Sequence, residues 1–172
     1  MTTPSTADTA AELADALTRA MKRIRRQTAR RLEPLGITPS QARALRTLAR
    51  PDCPGRADAD LPGSAGYGSM RLSELADRLH IAPRSATTVV DALEEAGLVA
   101  RTPDPVDRRA VRVVLTEAGR GALERIGQVR HEVAQAYFGP LTPGDQDVLL
   151  RALRTAEAAY EAAPPAGTAA AP

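Results

Sequence analysis

The chain has 172 residues, with 23 basic and 21 acidic side chains and a formal charge of +2. That length fits one domain with extensions, and that balance excludes a uniformly basic nucleic-acid coat, so any basic surface is local. One cysteine, Cys53, excludes an internal disulfide framework and a four-cysteine zinc site, and 2% aromatics with no Trp implies a core of Leu, Val, Ile and Ala, as in close-packed helices.

Residues 1–8 are rich in Thr, Ser and Pro and are expected to fray. The opening residues show neither a basic nor an apolar targeting region, and no stretch approaches the ~20 apolar residues of a bilayer span, so a cytoplasmic protein is expected. From Thr9 to about Leu32, Leu13, Leu17, Met21 and Ile24 recur at helical spacing. The opposite side carries Arg19, Lys22, Arg23, Arg25, Arg26 and Arg30. Two readings stand for it: a solvated face, or a surface that meets phosphate or steers DNA. A second helix over 38–50 opens at Thr38-Pro39-Ser40-Gln41, a capping box with Pro at the first helical position, and Pro51 stops it. Ala42, Leu45, Leu48 and Ala49 form its apolar stripe.

Residues 51–69 hold four glycines and three prolines and are expected to form a flexible loop. Ser73 is placed to cap a short helix containing Leu75, Ala76 and Leu79. A turn at His80-Ile81-Ala82 leads to Pro83, which opens a longer helix to about Ala96, ended by Gly97. Two short helices joined in this way make a helix-turn-helix pattern. Leu98–Arg101 and Val111–Leu115 read as strands around a polar turn, 102–110, so a β-hairpin wing follows the second helix. A helix from Thr116-Glu117 to Phe138 carries Leu123, Ile126, Val129 and Val133 at helical spacing, and Gly139-Pro140 breaks it. Thr142-Pro143 opens the last helix, with an apolar stripe of Val148, Leu149, Ala152, Leu153, Ala156 and Tyr160. The Ala/Pro/Gly tail, 163–172, is expected to be disordered. The fold class is mainly α with a small β-hairpin wing.

On a helical wheel of 83–96, Ala86, Val89, Val90 and Leu93 share one side. Arg84, Thr88, Asp91 and Glu95 lie opposite, flanked by Ser85 and Thr87. Arg can read guanine bidentately, and Ser and Thr meet bases or phosphates, so Arg84, Ser85, Thr87 and Thr88 fit a major groove; taken alone, the same face also reads as an ordinary amphipathic surface helix. The helix N-terminus also favours phosphate. Asp91 and Glu95 would repel DNA, which leaves only the N-terminal half to sit deep. In the turn Asp104-Pro105-Val106-Asp107-Arg108-Arg109, two guanidiniums stand at the wing tip beside Arg112. Such a tip can insert Arg109 into an electronegative minor groove, with Asp107 holding it by a bidentate pair.

His80 and His131 have no partner at metal-ligand spacing, and no nucleophile elbow or phosphate loop is present. No enzymatic constellation, metal or cofactor is therefore expected. For Cys53, between Asp52 and Pro54, three readings stand: an inert loop thiol, a disulfide with a partner, or a metal ligand.

Arg71-Leu72-Ser73-Glu74-Leu75-Ala76-Asp77-Arg78-Leu79 and the run from Val89 to Val99 resemble the MarR family of bacterial transcriptional regulators. The run Asp104-Pro105-Val106-Asp107-Arg108-Arg109-Ala110, continuing through Val114-Leu115-Thr116-Glu117-Ala118-Gly119, is similar to that family's wing and following helix, and is the more specific signal. The resemblance covers about residues 10–160. It implies a winged helix-turn-helix in which 70–115 binds DNA, while 9–50 and 116–162 mainly supply dimerisation helices within a 9–162 domain. It implies a homodimer on a double-stranded operator with an approximate inverted repeat, often a repressor relieved by a small-molecule effector held between the lobes. Arg84, Ser85, Thr87 and Thr88 match its recognition positions, and Asp107 and Arg109 its wing motif. The sequence departs from it at His80, where Gly is frequent, at Ala82, where a capping Ser or Thr is usual, and in the long 51–69 loop. The alternative reading is a winged-helix interaction module without operator binding.

Overall fold

The structure, a computed structural model, describes residues 6–50, 69–104, 107 and 110–162. The elements are α1 (Thr6–Leu32), a 3-10 turn (Glu33–Leu35), α2 (Pro39–Leu48), β1 (Met70–Arg71), α3 (Leu72–Leu79), α4 (Pro83–Glu95), β2 (Val99–Pro103), β3 (Val111–Leu115), α5 (Glu117–Phe138) and α6 (Pro143–Ala162). The chain divides into two compact units, Met1–Val133 and Ala134–Pro172. Among the described residues no helix is long and apolar enough to cross a membrane.

In the first unit the core is aliphatic. Leu45, Leu48, Leu75, Leu93, Val113 and Leu115 are all buried, and Ile126 of α5 joins them. α2, α3 and α4 pack on one another and on the sheet. The hairpin read from sequence is the larger part of a three-stranded antiparallel sheet in the order β1-β3-β2. β3 pairs Val113 with Met70 and Arg112 with Arg71 on one side, and runs from Leu115–Val99 to Val111–Pro103 on the other. β1 has only two residues, too few for an alternating pattern to announce it.

Local sequence explains the helix ends. At α2, Gln41 N–H donates to Thr38 Oγ1 at 3.2 Å and Thr38 N–H donates to Gln41 Oε1 at 2.8 Å, a closed capping box. At α3 the expected Ser73 cap is replaced. The chain passes straight from β1 into the helix, so Arg71 takes the cap position and its N–H donates to Glu74 Oε2 at 2.9 Å. Ser73 therefore lies inside the first turn. α1 begins at Thr6, ahead of the expected Thr9.

α3 and α4 end in the same way. His80 N–H donates to Asp77 O and Ile81 N–H to Ala76 O; Gly97 N–H donates to Glu94 O and Leu98 N–H to Leu93 O. This paired pattern needs a left-handed residue, supplied by Gly97 at φ 70° and by His80 at φ 50°. α5 approaches the strand entry so closely that a Cβ on Gly119 would lie 2.0 Å from Leu98 O. Only glycine fits there.

In the second unit, Thr142 caps α6, with Asp145 N–H donating to Thr142 Oγ1 at 3.2 Å. No residue of α6 is buried. Its Val148, Leu149, Leu150 and Leu153 are exposed, as are Leu13, Leu17 and Met21 of α1 in the first unit.

Candidate nucleic-acid interface

α4 is the second helix of the helix-turn-helix, and its burial follows the wheel. Ala86, Val90 and Leu93 are buried and Val89 is half-buried. Arg84, Ser85, Thr87 and Thr88 are all exposed on its first two turns. Ala82, at the N-cap, has the right extended backbone (φ −61°, ψ 145°) but no side-chain oxygen to cap with. The positive end of the helix is left for an outside anion.

The hydroxyls on this face are oriented by their own helix. Thr87 Oγ1 donates to Pro83 O at 3.0 Å and Thr88 Oγ1 donates to Arg84 O at 3.1 Å. With their protons committed to the backbone, these hydroxyls can meet an outside group only as acceptors. The Arg84 guanidinium makes no ion pair among the described residues. One helix face thus offers a cationic fork and two hydroxyl acceptors on adjacent turns.

Beyond Thr88 the helix turns acidic, and of the two carboxylates expected to repel DNA, Asp91 and Glu95, the first has a cationic partner. Arg101 of β2 reaches back to α4. Its Nη2 lies 2.5 Å from Asp91 Oδ1, its Nη1 pairs with Glu94 Oε2, and its backbone N–H donates to Glu94 Oε1 at 3.1 Å. The Asp91 hydrogen bond, with support from Glu94, raises the Arg101 guanidinium above its ordinary value despite partial desolvation. Glu95 is exposed.

The wing base is the second correction. Asp104, expected as one polar residue of an open turn, is buried, with its side chain only 1% exposed. Its Oδ2 accepts from Arg71 Nε at 2.8 Å and Arg112 Nη1 at 3.3 Å, and its Oδ1 accepts from Asp107 N–H at 3.1 Å. Arg112 continues inward, donating from Nε to Ser69 Oγ at 2.7 Å and from Nη2 to Ser69 O at 2.8 Å. Arg112, in the returning strand beside the tip, is expected among the DNA contacts with Arg108 and Arg109. The register places it instead opposite Arg71 and Thr102, where its side chain is 11% exposed and braces the wing base. The Asp104 hydrogen bond and charge raise the Arg71 guanidinium above its ordinary value.

Arg108, Arg109 and Cys53 lie outside the described residues, and so does the expected Asp107–Arg109 pair. The 51–69 loop does as well, except for its last residue, Ser69, which is buried. Sequence reasoning missed both Arg101 and Asp104. A lone cation in β2, seven and ten residues after two helix acids, was the available signal for the first. For the second there was none, because an Asp before Pro reads as an ordinary turn residue.

The family model described as MarR family matches residues 66–111. The chain is 30% identical over 131 residues to the HTH-type transcriptional repressor MdtR of Bacillus subtilis, covering 76% of this chain and 73% of that protein. Wild-type apo MarR from E. coli superposes with a TM-score of 0.68 at 25% identity, covering 84% of this chain and 95% of its own. A MarR family protein from Bacillus stearothermophilus gives a TM-score of 0.73 at 23% identity, covering 92% of this chain and 99% of its own, a likeness of fold.

Proposed function

The chain belongs to the MarR family of DNA-binding, non-enzymatic transcriptional regulators, and from that premise we propose that it is a sequence-specific cytoplasmic repressor acting as a homodimer. The observation that carries this reading is the exposed N-terminal face of α4, where Arg84 stands without an ion pair among the described residues and Thr87 and Thr88 present oriented acceptors. Each protomer sets Arg84, Ser85, Thr87 and Thr88 in a major groove. Each wing carries Arg109, with Arg108, toward the flanking minor groove, and Asp107, joined to Asp104, holds the turn's entry. Arg112 supports the wing from below. Two half-sites about one helical turn apart follow from the dimer.

The exposed apolar stripes of α1 and α6 support dimerisation, because a chain stable alone in water does not leave two helices' apolar faces open. An open cleft of about 480 Å3 between the end of α1 and the start of α2, lined by Arg26, Arg30, Ile37 and Thr38 among others, is where a small-molecule effector would be sought first. An effector that prefers one spacing of the DNA-binding lobes shifts the population competent for the operator.

Fluorescence anisotropy on duplexes tiling the gene's own upstream DNA, at two salt concentrations, tests the reading. One tile bound about 10³-fold more tightly than the rest is the expected result. Uniform weak binding that collapses with salt would reflect phosphate attraction only and favour the interaction-module reading.

A further inference from the structure

We propose that Arg101 is a positioning residue for DNA binding that never touches DNA: it screens the acidic half of the recognition helix from the phosphates. The inference rests on the DNA-binding reading and deepens it. Arg84, Thr88 and Asp91 share one face of α4, so Asp91 lies about 10 Å along the axis from Arg84. A helix that enters a groove about 12 Å wide by its N-terminus carries that next turn to the rim, where the phosphate strand runs. Asp91 is exposed there, its side chain 57% accessible, so its carboxylate meets the phosphates rather than the bases.

α4 crowds Asp91, Glu94 and Glu95 into its last turns, beside the negative end of its own dipole. The fold alone gains nothing from that arrangement. Arg101 offsets it by taking both Asp91 and Glu94 with one guanidinium and adding its backbone N–H to Glu94. The Arg101 side chain is 26% exposed and both terminal nitrogens engage carboxylates, so its donors are spent on α4 rather than held out toward a groove. Surface ion pairs of this kind add little to stability. Their effect on affinity is larger, because the ligand is a polyanion that senses each uncompensated charge.

The test uses the full-length protein, with anisotropy on its tightest upstream tile and on a duplex of arbitrary sequence. Variants are R101Q, D91N/E94Q and the triple R101Q/D91N/E94Q. Arg101→Gln should weaken binding about ten-fold at moderate salt, with little change in thermal midpoint. D91N/E94Q should bind at least as tightly as wild type, and the triple variant should return to within about two-fold of it. A triple variant as weak as R101Q overturns the proposal, since Arg101 would then touch DNA itself. D91N/E94Q as weak as R101Q overturns it too, since the pairs would then act by holding helix against wing. If R101Q fails to fold, the D91N/E94Q arm still decides. Wild type that binds neither duplex sinks the DNA-binding reading; wild type that binds while R101Q binds equally sinks only the role of Arg101.

Discussion

Asp104 Oδ2 accepts from Arg71 Nε at 2.8 Å, joining two residues 33 positions apart and tying the wing's descending strand to the strand that enters α3. The carboxylate is buried while Arg71 is 38% exposed, so the negative member depends on the pair and the positive one keeps some water. Arg112 and the Asp107 N–H complete its shell. Removing a partner from a buried pair leaves the other uncompensated, and that cost exceeds the net worth of the pair.

Asp104→Ala should therefore destabilise the protein by about 2 kcal/mol, below the range for wholly buried pairs because Arg71 can be re-solvated. Asp104→Asn, which keeps an acceptor and a similar shape, should lose less. Urea denaturation of both variants gives the comparison. Equal stability of Asp104→Ala and wild type would show that the carboxylate does not hold the wing base.

Arg109 and Arg112 should separate when each is changed to Ala. Arg109→Ala should leave the denaturation midpoint in place and weaken operator binding by about 1–3 kcal/mol, as for a guanidinium that meets DNA. Arg112→Ala should lower stability, because it strips donors from buried Ser69 and Asp104. Anisotropy and denaturation on both proteins decide it. Unchanged affinity in Arg109→Ala would remove the wing tip from the DNA contact set.

The turn of the helix-turn-helix holds two residues whose side chains suit their positions poorly. His80 sits at φ 50°, ψ 47°, where a side chain costs energy that glycine avoids. Ala82 is an N-cap without an oxygen. His80→Gly should stabilise by about 0.5–1 kcal/mol, the relief of strain exceeding the added freedom of the unfolded chain. Ala82→Ser should add about 1 kcal/mol, since Ser at that extended backbone can accept from a first-turn N–H. Thermal melts read both effects, and a lower midpoint in Ala82→Ser would contradict the cap geometry.

These positions also mark what the sequence could disclose. Helices with a strong period and a capping signal were legible: Thr38 with Gln41, Pro83, and the Gly97 stop all lie where their chemistry requires. β1 is not legible, because two residues carry no period and its pairing with β3 reaches across α3, α4 and β2. Ser73 has a capping residue type, but the direct strand-to-helix passage gives the cap position to Arg71, which residue type alone does not disclose. At the interface, the polar face of α4 could be drawn on a wheel. The inward course of Arg112 depends on cross-strand register and on Ser69, which no local pattern encodes. Arg101 joins the acids of α4 through tertiary folding, so its carboxylates read as open charges until the strand was in place.

The apolar face of α6 carries the last prediction. Leu149 and Leu153 lie one helical turn apart and are 40% and 42% exposed, and Val148 beside them is 57% exposed. Leu13 and Leu17 of α1, also four residues apart, are 66% and 47% exposed. Burying one such side chain is worth about 1.5–3 kcal/mol, so a stripe of this kind on each of two helices strongly favours association. Leu149→Glu would place a charge where a homodimer buries apolar surface, and the charge cannot be buried there without a partner. The variant should elute as a monomer on size exclusion with light scattering, at concentrations where wild type is a dimer. It should also bind an inverted-repeat duplex much more weakly, because two half-sites are then met by two independent proteins rather than one. Retention of the dimer in both Leu149→Glu and Leu17→Glu would exclude these stripes as the interface, and would leave the exposed apolar surface to some other partner.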